Sequence, residues 1–133
     1  MTASANPAVA GQLRRLLDHA HAPYSGVHVA CAVEGADGRL HLGVNVENAA
    51  YPQGLCAEAS AISAAVTAGE TRLKRVYVAT NLQELVWPCG GCRQKIFEFA
   101  EAGCEIVSIA PDGRTDSRTI EQLLPDGFRL DPT

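Results

Sequence analysis

Residues 55–110, LCAEASAISAAVTAGETRLKRVYVATNLQELVWPCGGCRQKIFEFAEAGCEIVSIA, alternate twice between a helix-like and a strand-like segment. The predicted helices and strands lie at residues 55–68, 76–80, 89–100 and 106–110. Gly69 and Gly103 are typical residues just beyond a helix, so we expect them to end the two helices. Strands that alternate with helices predict an α/β layer with partly parallel pairing.

The flanking segments add a helix and a hairpin. Pro7 suits the first position of a helix, in which Leu13, Leu16 and Leu17 form an apolar stripe, and this helix should end before Pro23. Two β-like runs follow, with turn-forming residues between them that predict a hairpin, and a short helix is expected near the C-terminus. These segments are residues 27–33, 34–38, 40–46 and 119–124. An antiparallel hairpin beside parallel strands makes the sheet mixed.

The composition is that of an ordinary globular protein. The 133 residues are 47% apolar and 20% charged, so we expect a single domain over residues 1–133. The net charge is −4 and no Lys/Arg run occurs, which argues against a nucleic-acid groove or an anionic membrane surface as partner. We expect no signal peptide and no membrane span. Five cysteines, an odd number, favour reduced thiols in the cytoplasm.

Three of the cysteines have a spacing typical of metal ligands. Cys56 precedes Glu58 by two residues, and Cys89 and Cys92 form a Cys-x-x-Cys pair. Three thiolates can hold a zinc ion and leave its fourth position for water, as catalytic zinc sites do. In this layout the three cysteines lie in the first turns of two helices, where we expect the helix N-termini to lower the thiol pKa values. Glu58 is then close enough to exchange protons with that water.

Other interpretations of the same residues stay open. Cys-x-x-Cys alone also fits a dithiol redox pair or half of a zinc ribbon, and three cysteines with a further ligand fit a structural zinc site. A glutamate early in a helix is most often a surface residue that complements the helix dipole. Cys31 and Cys104 stand singly in strand-like runs, and we expect them to be buried as small apolar residues.

The motifs of the chain resemble those of the small, homotetrameric cytidine deaminases. They occur in order from Ala22 to Phe128: APYS (22–25), GVNVENAAY (43–51), CAE (56–58), PCGGCRQ (88–94) and LLP (123–125). The spacing also matches the all-cysteine form of the zinc deaminase signature. This resemblance implies a three-layer αβα sandwich around a mixed five-stranded sheet. It further implies one zinc ion per chain, and hydrolysis of cytidine and deoxycytidine to uridine and deoxyuridine in pyrimidine salvage.

The resemblance also implies roles for individual residues. Cys56, Cys89 and Cys92 match the zinc ligands, and Glu58 matches the residue that moves protons. The implied substrate contacts are Asn45 and Glu47 to the ribose 3′-hydroxyl and the backbone N–H of Ala57 to the base. Three residues match positions that approach the site from neighbouring subunits of a homotetramer with shared active sites, namely Ala49, Tyr51 and Phe128.

Two positions depart from the family pattern. Val27 stands where the family usually has a phenylalanine that packs on the base, and Ala59 stands where many members have an arginine that hydrogen-bonds the thiolates. Trp87 is a possible replacement for the first, although an ordinary half-buried aromatic residue explains it equally well. Arg93 is the nearby cation that the sequence offers in place of the second, and a surface role is an equal alternative.

The sequence therefore predicts a zinc hydrolase that acts on a free pyrimidine nucleoside. The acidic net charge favours a small substrate over DNA or RNA. Two alternatives remain: a deaminase of a modified cytosine nucleoside such as blasticidin S, and a non-catalytic oligomer that zinc stabilises.

Overall fold

The computed structural model describes residues 7–132. Within them, the α-helices are Pro7–Leu16 (α1), Ala57–Thr67 (α2), Gly90–Phe99 (α3) and Ile120–Leu123 (α4), and the strands are Val29–Gly35 (β1), Leu40–Val44 (β2), Leu73–Thr80 (β3), Ala100–Ile109 (β4) and Thr115–Thr119 (β5). Two 3₁₀ turns, Leu17–His19 and Tyr51–Gln53, follow α1 and precede α2. None of the helices in this range is long and apolar enough to cross a membrane.

The strands form one mixed sheet in the order β2–β1–β3–β4–β5. Strands β1 and β2 form the predicted antiparallel hairpin, and β1 also pairs antiparallel with β3. The one parallel pair, among the described strands, is β3–β4, which α3 connects as a crossover helix. The fold class predicted from the sequence is therefore confirmed, including the mixed character of the sheet.

Helices cover both faces of the sheet, which gives the three layers. Because side chains alternate along a strand, Cys31 and Val33 of β1 face α2 and α3, whereas Ala30 and Ala32 face α1. Leu13 is fully buried in the α1 layer. Cys31 and Cys104 are buried in the other layer, as predicted for small apolar residues.

Two parts of the secondary-structure prediction were wrong. Helix α3 ends at Phe99, and β4 begins at Ala100 because Ala100 already pairs with Leu73 of β3. Gly103 therefore lies inside β4, where its φ of 76° accommodates an irregularity in the pairing, and does not end the helix. Strand β5, TDSRT, has no apolar alternation, so no sequence pattern predicted its position.

A close contact between α2 and β2 sets the position of the site. A Cβ atom at Gly43 of β2 would lie 2.7 Å from the carbonyl oxygen of Ala57 and would also clash with the backbone nitrogen of Ala61. Glycine therefore lets the first turns of α2 lie directly on the strand. This contact places Cys56, the residue before the helix, near the C-terminal end of β2.

Candidate active site

The three cysteines of the predicted metal site meet at the N-termini of α2 and α3. Cys56 is the N-cap residue of α2 and Cys89 is the N-cap residue of α3, one position earlier than the first turns in which we expected them. Cys92 lies in the first turn of α3 and is buried. Their sulfur atoms all lie within 4.8 Å of one another. Residues from distant parts of the chain thus form one thiol cluster.

The donor set fits one zinc ion per chain. Zn–S bonds of about 2.3 Å in a tetrahedral arrangement hold two sulfur atoms about 3.8 Å apart, which the observed spacing allows. Among residues 7–132, the metal-binding group with this spacing consists of the three cysteines. Catalytic zinc sites typically have three protein ligands, so the number of donors also fits.

The pKa values of the three thiols shift in different directions. Burial raises the pKa of Cys92 strongly, and burial raises that of Cys56 as well. The pKa of Cys89 is lowered, chiefly by a hydrogen bond from the backbone of Cys92. The expectation that the helix N-termini lower all three thiol pKa values is therefore correct only for Cys89. The charge of the nearby Glu58 carboxylate is one contribution that raises the pKa of each thiol, including Cys89, whose net shift is downward. A bound divalent cation would act in the opposite direction and favour the thiolates.

Glu58 is buried beside the thiols, with 5% of its surface exposed. Burial raises the pKa of its carboxyl group, while its own backbone amide and the charge of Lys95 act in the opposite direction. The surface interpretation of this residue is therefore wrong. A carboxyl group with a raised pKa inside a cavity is suited to accept and donate protons.

The structure gives partners to Arg93 and adds a second cation, Lys95, near Glu58. Arg93 donates hydrogen bonds to the carbonyl oxygens of Pro88, at 2.7 Å, and Leu123, at 3.0 Å, and so ties the segment before Cys89 to α4. Lys95 was not predicted, yet its charge reaches Glu58. Its position three residues after Cys92, on the same helix face, was the available signal.

A cavity of about 660 Å³ opens beside the thiol cluster. Its wall includes a group around the thiols, Cys56, Cys89, Ala57 and Glu58, which we call the thiol end. A second group, which hydrogen bonds join to Glu47 or to the start of β1 and which we call the Glu47 end, is Tyr24, Ser25, Asn45 and Glu47. Most of the remaining wall is apolar, with Val27, Val29, Leu55, Val78, Val86 and Trp87. Such a cavity, apolar with few polar groups, is typical of a small-molecule site.

Asn45 holds the start of β1 at the Glu47 end. Its side-chain oxygen accepts a hydrogen bond from the backbone N–H of Val29 at 2.8 Å, and its side-chain nitrogen donates to the carbonyl oxygen of Val27 at 2.8 Å. The amide group keeps one N–H and one acceptor position for a further partner.

Glu47 fixes the neighbouring turn. One carboxylate oxygen accepts hydrogen bonds from the backbone N–H groups of Tyr24, at 3.0 Å, and Ser25, at 3.1 Å, and the other accepts from the Ser25 hydroxyl. These bonds, first of all that from the Ser25 side chain, lower the pKa of Glu47. Ser25 belongs to the APYS motif (22–25), but no sequence pattern predicts its contact with Glu47.

The structure brings most, but not all, of the predicted site residues to the cavity. Ala57, Val27 and Tyr51 line it, and Tyr51 is 76% exposed. Ala49 and Phe128 lie on the exposed surface and are not part of this wall. Further wall residues to which the sequence analysis gave no role are Tyr24, Ser25, Val29, Val46, Asn48, Gly54, Leu55, Val78 and Val86.

Known proteins share both the sequence pattern and the fold. Residues 8–107 match the model of the cytidine and deoxycytidylate deaminase zinc-binding region. A cytidine deaminase of Mycoplasma pneumoniae is 40% identical over 120 residues, which are 89% of this chain and 90% of that protein. The crystal structure of cytidine deaminase from Burkholderia pseudomallei superposes with a TM-score of 0.86 at 32% identity, covering 92% of this chain and 98% of that chain.

A second solved structure supports the same relationship. The crystal structure of cytidine deaminase from Mycobacterium leprae gives a TM-score of 0.74 at 38% identity, over 88% of this chain and 94% of that chain. The zinc-binding region of the family model contains the cysteines that converge here. With a family model that matches most of its length and relatives that cover nearly all of it, this chain belongs to the cytidine and deoxycytidylate deaminase family.

Proposed function

We propose that this chain catalyses the hydrolytic deamination of cytidine and deoxycytidine. In this reaction water replaces the exocyclic amino group, so that cytidine and water give uridine and ammonia. The observation that carries the proposal is the convergence of three thiols and the buried Glu58 at a cavity of about 660 Å³, which has room for a nucleoside. Membership of the family and the names of the relatives support the same reaction.

The residues at the thiol end divide the chemistry between them. Cys56, Cys89 and Cys92 would hold a zinc ion, which when bound activates water for attack on the ring carbon that carries the amino group. Glu58 accepts a proton from the attacking water and passes it to the adjacent ring nitrogen. It then takes the remaining proton from the hydroxyl group added to the ring carbon and delivers it to the departing amine, which leaves as ammonia. Its burial keeps these proton transfers away from bulk solvent.

The remaining wall residues bind and orient the nucleoside. Ala57 is the first residue of α2, so its backbone N–H has no partner within the helix and can donate to the base carbonyl. Asn45 and Glu47 hydrogen-bond the ribose 3′-hydroxyl through the capacity that their contacts to the chain leave unused. Val27 contributes apolar contact to the base.

We also infer that the active protein is a homotetramer with shared active sites. Tyr51, Leu55, Phe128 and Leu130 are exposed apolar residues, and association would remove their surface from water. In this assembly Ala49, Tyr51 and Phe128 complete the sites of neighbouring subunits. Light scattering coupled to size exclusion tests this, since an active monomer would contradict it.

The setting that we propose is pyrimidine salvage in the cytoplasm, with one catalytic domain over residues 1–133. All five cysteines are free thiols in the structure, which suits a reducing compartment. The net charge of −4 is consistent with free nucleosides as substrates and gives no support for nucleic-acid binding.

The direct test is turnover by zinc-loaded protein, followed by the loss of cytidine absorbance and by ammonia release. The panel is cytidine, deoxycytidine, cytosine, adenosine and blasticidin S, with Glu58→Gln as the control for a contaminating deaminase. We expect turnover of cytidine and deoxycytidine. Turnover of blasticidin S alone would replace this substrate assignment, and zinc binding without turnover of any compound would indicate a structural zinc protein.

A further inference from the structure

Trp87 is the single tryptophan of the chain, and it lines the cavity two residues before the metal ligand Cys89. Its side chain is half-buried and packs against the core beneath α2 and α3. A rigidly supported aromatic ring therefore borders the thiol end, where the reacting carbon of a substrate must lie.

The other aromatic residues of the described cavity wall lie in a different environment. Tyr24 and Tyr51 are exposed and contact each other edge to face, with ring centroids 6.0 Å apart. The inner wall near Trp87 is aliphatic, formed by Val27, Val78 and Val86 among others. Within residues 7–132, Trp87 is therefore the aromatic surface that the inner wall offers to a planar heterocycle.

Arg118 of β5 lies over this ring. Its guanidinium lies 4.7 Å from the centroid of the Trp87 ring. The same guanidinium forms an ion pair with Asp116 at 2.7 Å and donates to the carbonyl oxygen of Ser117 at 2.9 Å. A cation over a tryptophan face is attracted by the ring quadrupole, and its two other bonds restrict its movement.

The geometry points to Trp87 as a binding and specificity-determining residue that stacks on the pyrimidine ring, with Arg118 as the positioning residue that orients it. This inference rests on the proposed deaminase function. Aromatic rings gain from contact with a planar π system, so Trp87 favours a flat, unsaturated base over a puckered one of similar size. Arg118 acts only through Trp87 and does not take part in the reaction.

Binding of uridine, the reaction product, tests the contact without turnover. Because Trp87 is the single tryptophan, excitation at the red edge of protein absorbance reports on this ring alone. We expect uridine to change the emission of the zinc-loaded protein saturably, with a dissociation constant equal to its inhibition constant against cytidine. Competitive inhibition by uridine with no emission change would overturn the inference.

Two variants separate stacking from general packing. Trp87→Phe keeps an aromatic face, and Trp87→Leu keeps an apolar side chain without one. For Trp87→Leu we expect the KM for cytidine to rise between about twofold and about tenfold, the usual value of an aromatic pair, and Trp87→Phe to restore most of this loss. The ratio of the affinity for uridine to the affinity for the non-planar 5,6-dihydrouridine, both taken from inhibition constants, should fall in Trp87→Leu and stay near the wild-type value in Trp87→Phe.

A matched arginine pair tests the positioning role. Arg118 and Arg114 both form ion pairs at 2.7 Å with an aspartate two residues earlier, the half-buried Asp116 and the exposed Asp112, but of the two arginines only Arg118 covers Trp87. Arg118→Ala should raise the KM for cytidine severalfold and make Trp87 emission more accessible to acrylamide, whereas Arg114→Ala should change neither. Equal effects of the two variants would contradict the role of Arg118.

The outcomes distinguish this inference from the proposed function. If cytidine is turned over and the uridine to dihydrouridine ratio is the same in wild type and Trp87→Leu, the deaminase proposal stands and the stacking role is wrong. If no pyrimidine nucleoside is bound or turned over by the wild type, both are wrong.

Discussion

At the thiol end of the cavity, three cysteines are crowded beside a buried carboxyl group, whereas at the Glu47 end a carboxylate already accepts hydrogen bonds from Tyr24 and Ser25. Burial raises the pKa of Cys92 and of Glu58, while hydrogen bonds lower that of Glu47. Burial at the thiol end therefore disfavours the charged forms of Cys92 and Glu58, whereas hydrogen bonds from the chain stabilise the charged form of Glu47.

This difference assigns the chemical step to the thiol end of the cavity and substrate recognition to the Glu47 end. Donors at the Glu47 end are positioned by the backbone, so that part of the cavity is organised before substrate arrives. The thiol end gains its final charge balance only with a metal ion, because the thiols must lose protons to bind it. Changes at the thiol end should therefore affect metal content and rate, and changes at the Glu47 end should affect stability and binding.

The largest effect is expected from Cys92→Ala. Loss of one of three ligands should abolish stoichiometric zinc binding and lower turnover by more than about a hundredfold, since even residues that only support metal ligands contribute about 10–100-fold. Zinc content by elemental analysis and cytidine turnover measure both. Cys104→Ala is the matched control, because Cys104 is equally buried but lies in β4 away from the cluster. Full zinc occupancy in Cys92→Ala would contradict the assignment.

Glu58→Gln should separate the metal from the proton chemistry. The amide keeps the size of the side chain but cannot exchange protons, so we expect kcat to fall about 10²–10⁴-fold while one zinc per chain is retained. The exposed Glu98 of α3 provides the comparison, and Glu98→Gln should leave kcat unchanged. Near-normal turnover by Glu58→Gln would remove this residue from the mechanism.

Gly43→Ala should displace the helix on which the thiol end depends. The added methyl group has no room against Ala57 and Ala61, so we expect a loss of about 1–3 kcal/mol in the free energy of unfolding. Gly11 of α1 meets only the end of the flexible Arg15 side chain, and Gly11→Ala should stabilise by about 0.5–1 kcal/mol. Denaturant unfolding gives the change in the free energy of unfolding for both variants, which we expect to have opposite signs. A Gly43→Ala variant as stable as wild type would show that α2 can shift away from β2 without cost.

The smallest effect concerns pH at the Glu47 end. Native hydrogen bonds hold the pKa of Glu47 below its unfolded value of about 4.3, so the carboxylate stabilises the native state above that pH and loses this contribution as pH falls through the native pKa. Glu47→Gln cannot ionise, so its stability deficit relative to wild type should be largest near pH 7 and shrink below about pH 4. Zinc release in acid affects both proteins alike. A deficit independent of pH would contradict the ionic role.

Local pattern predicted much of the fold, because most elements carry strong periodicity or clear boundaries. The hairpin, α2, and the burial of Cys31 and Cys104 follow from residue type and spacing alone. The end of α3 was missed because the pairing of Ala100 with Leu73, a contact distant in sequence, overrides the helical pattern. Strand β5 was missed because an edge strand of polar residues has no alternation to detect.

The site followed the same division. The spacing of Cys56, Cys89 and Cys92 predicted a metal centre, but whether Glu58 faces solvent or the cavity depended on how α2 packs. The sequence offered Arg93 either as a nearby cation or as a surface residue, and only the structure shows that it bonds the carbonyl oxygens of Pro88 and Leu123. The direction of a side chain depends on which hydrogen-bond partners folding brings near it, and a sequence pattern does not show those partners.

Residue types and their spacing were enough to identify the chemistry: three thiols and a carboxylate with metal-site spacing, in a chain whose alternating periodicity predicts an α/β sheet. That Trp87 borders the cavity beneath Arg118, and that Glu47 is held by the turn at Ser25, became visible only in the folded chain. The difference lies in how far apart along the chain the interacting residues are. Periodicity and spacing reflect contacts within a few turns, whereas burial, pKa and ring orientation depend on neighbours that folding brings from distant parts of the chain.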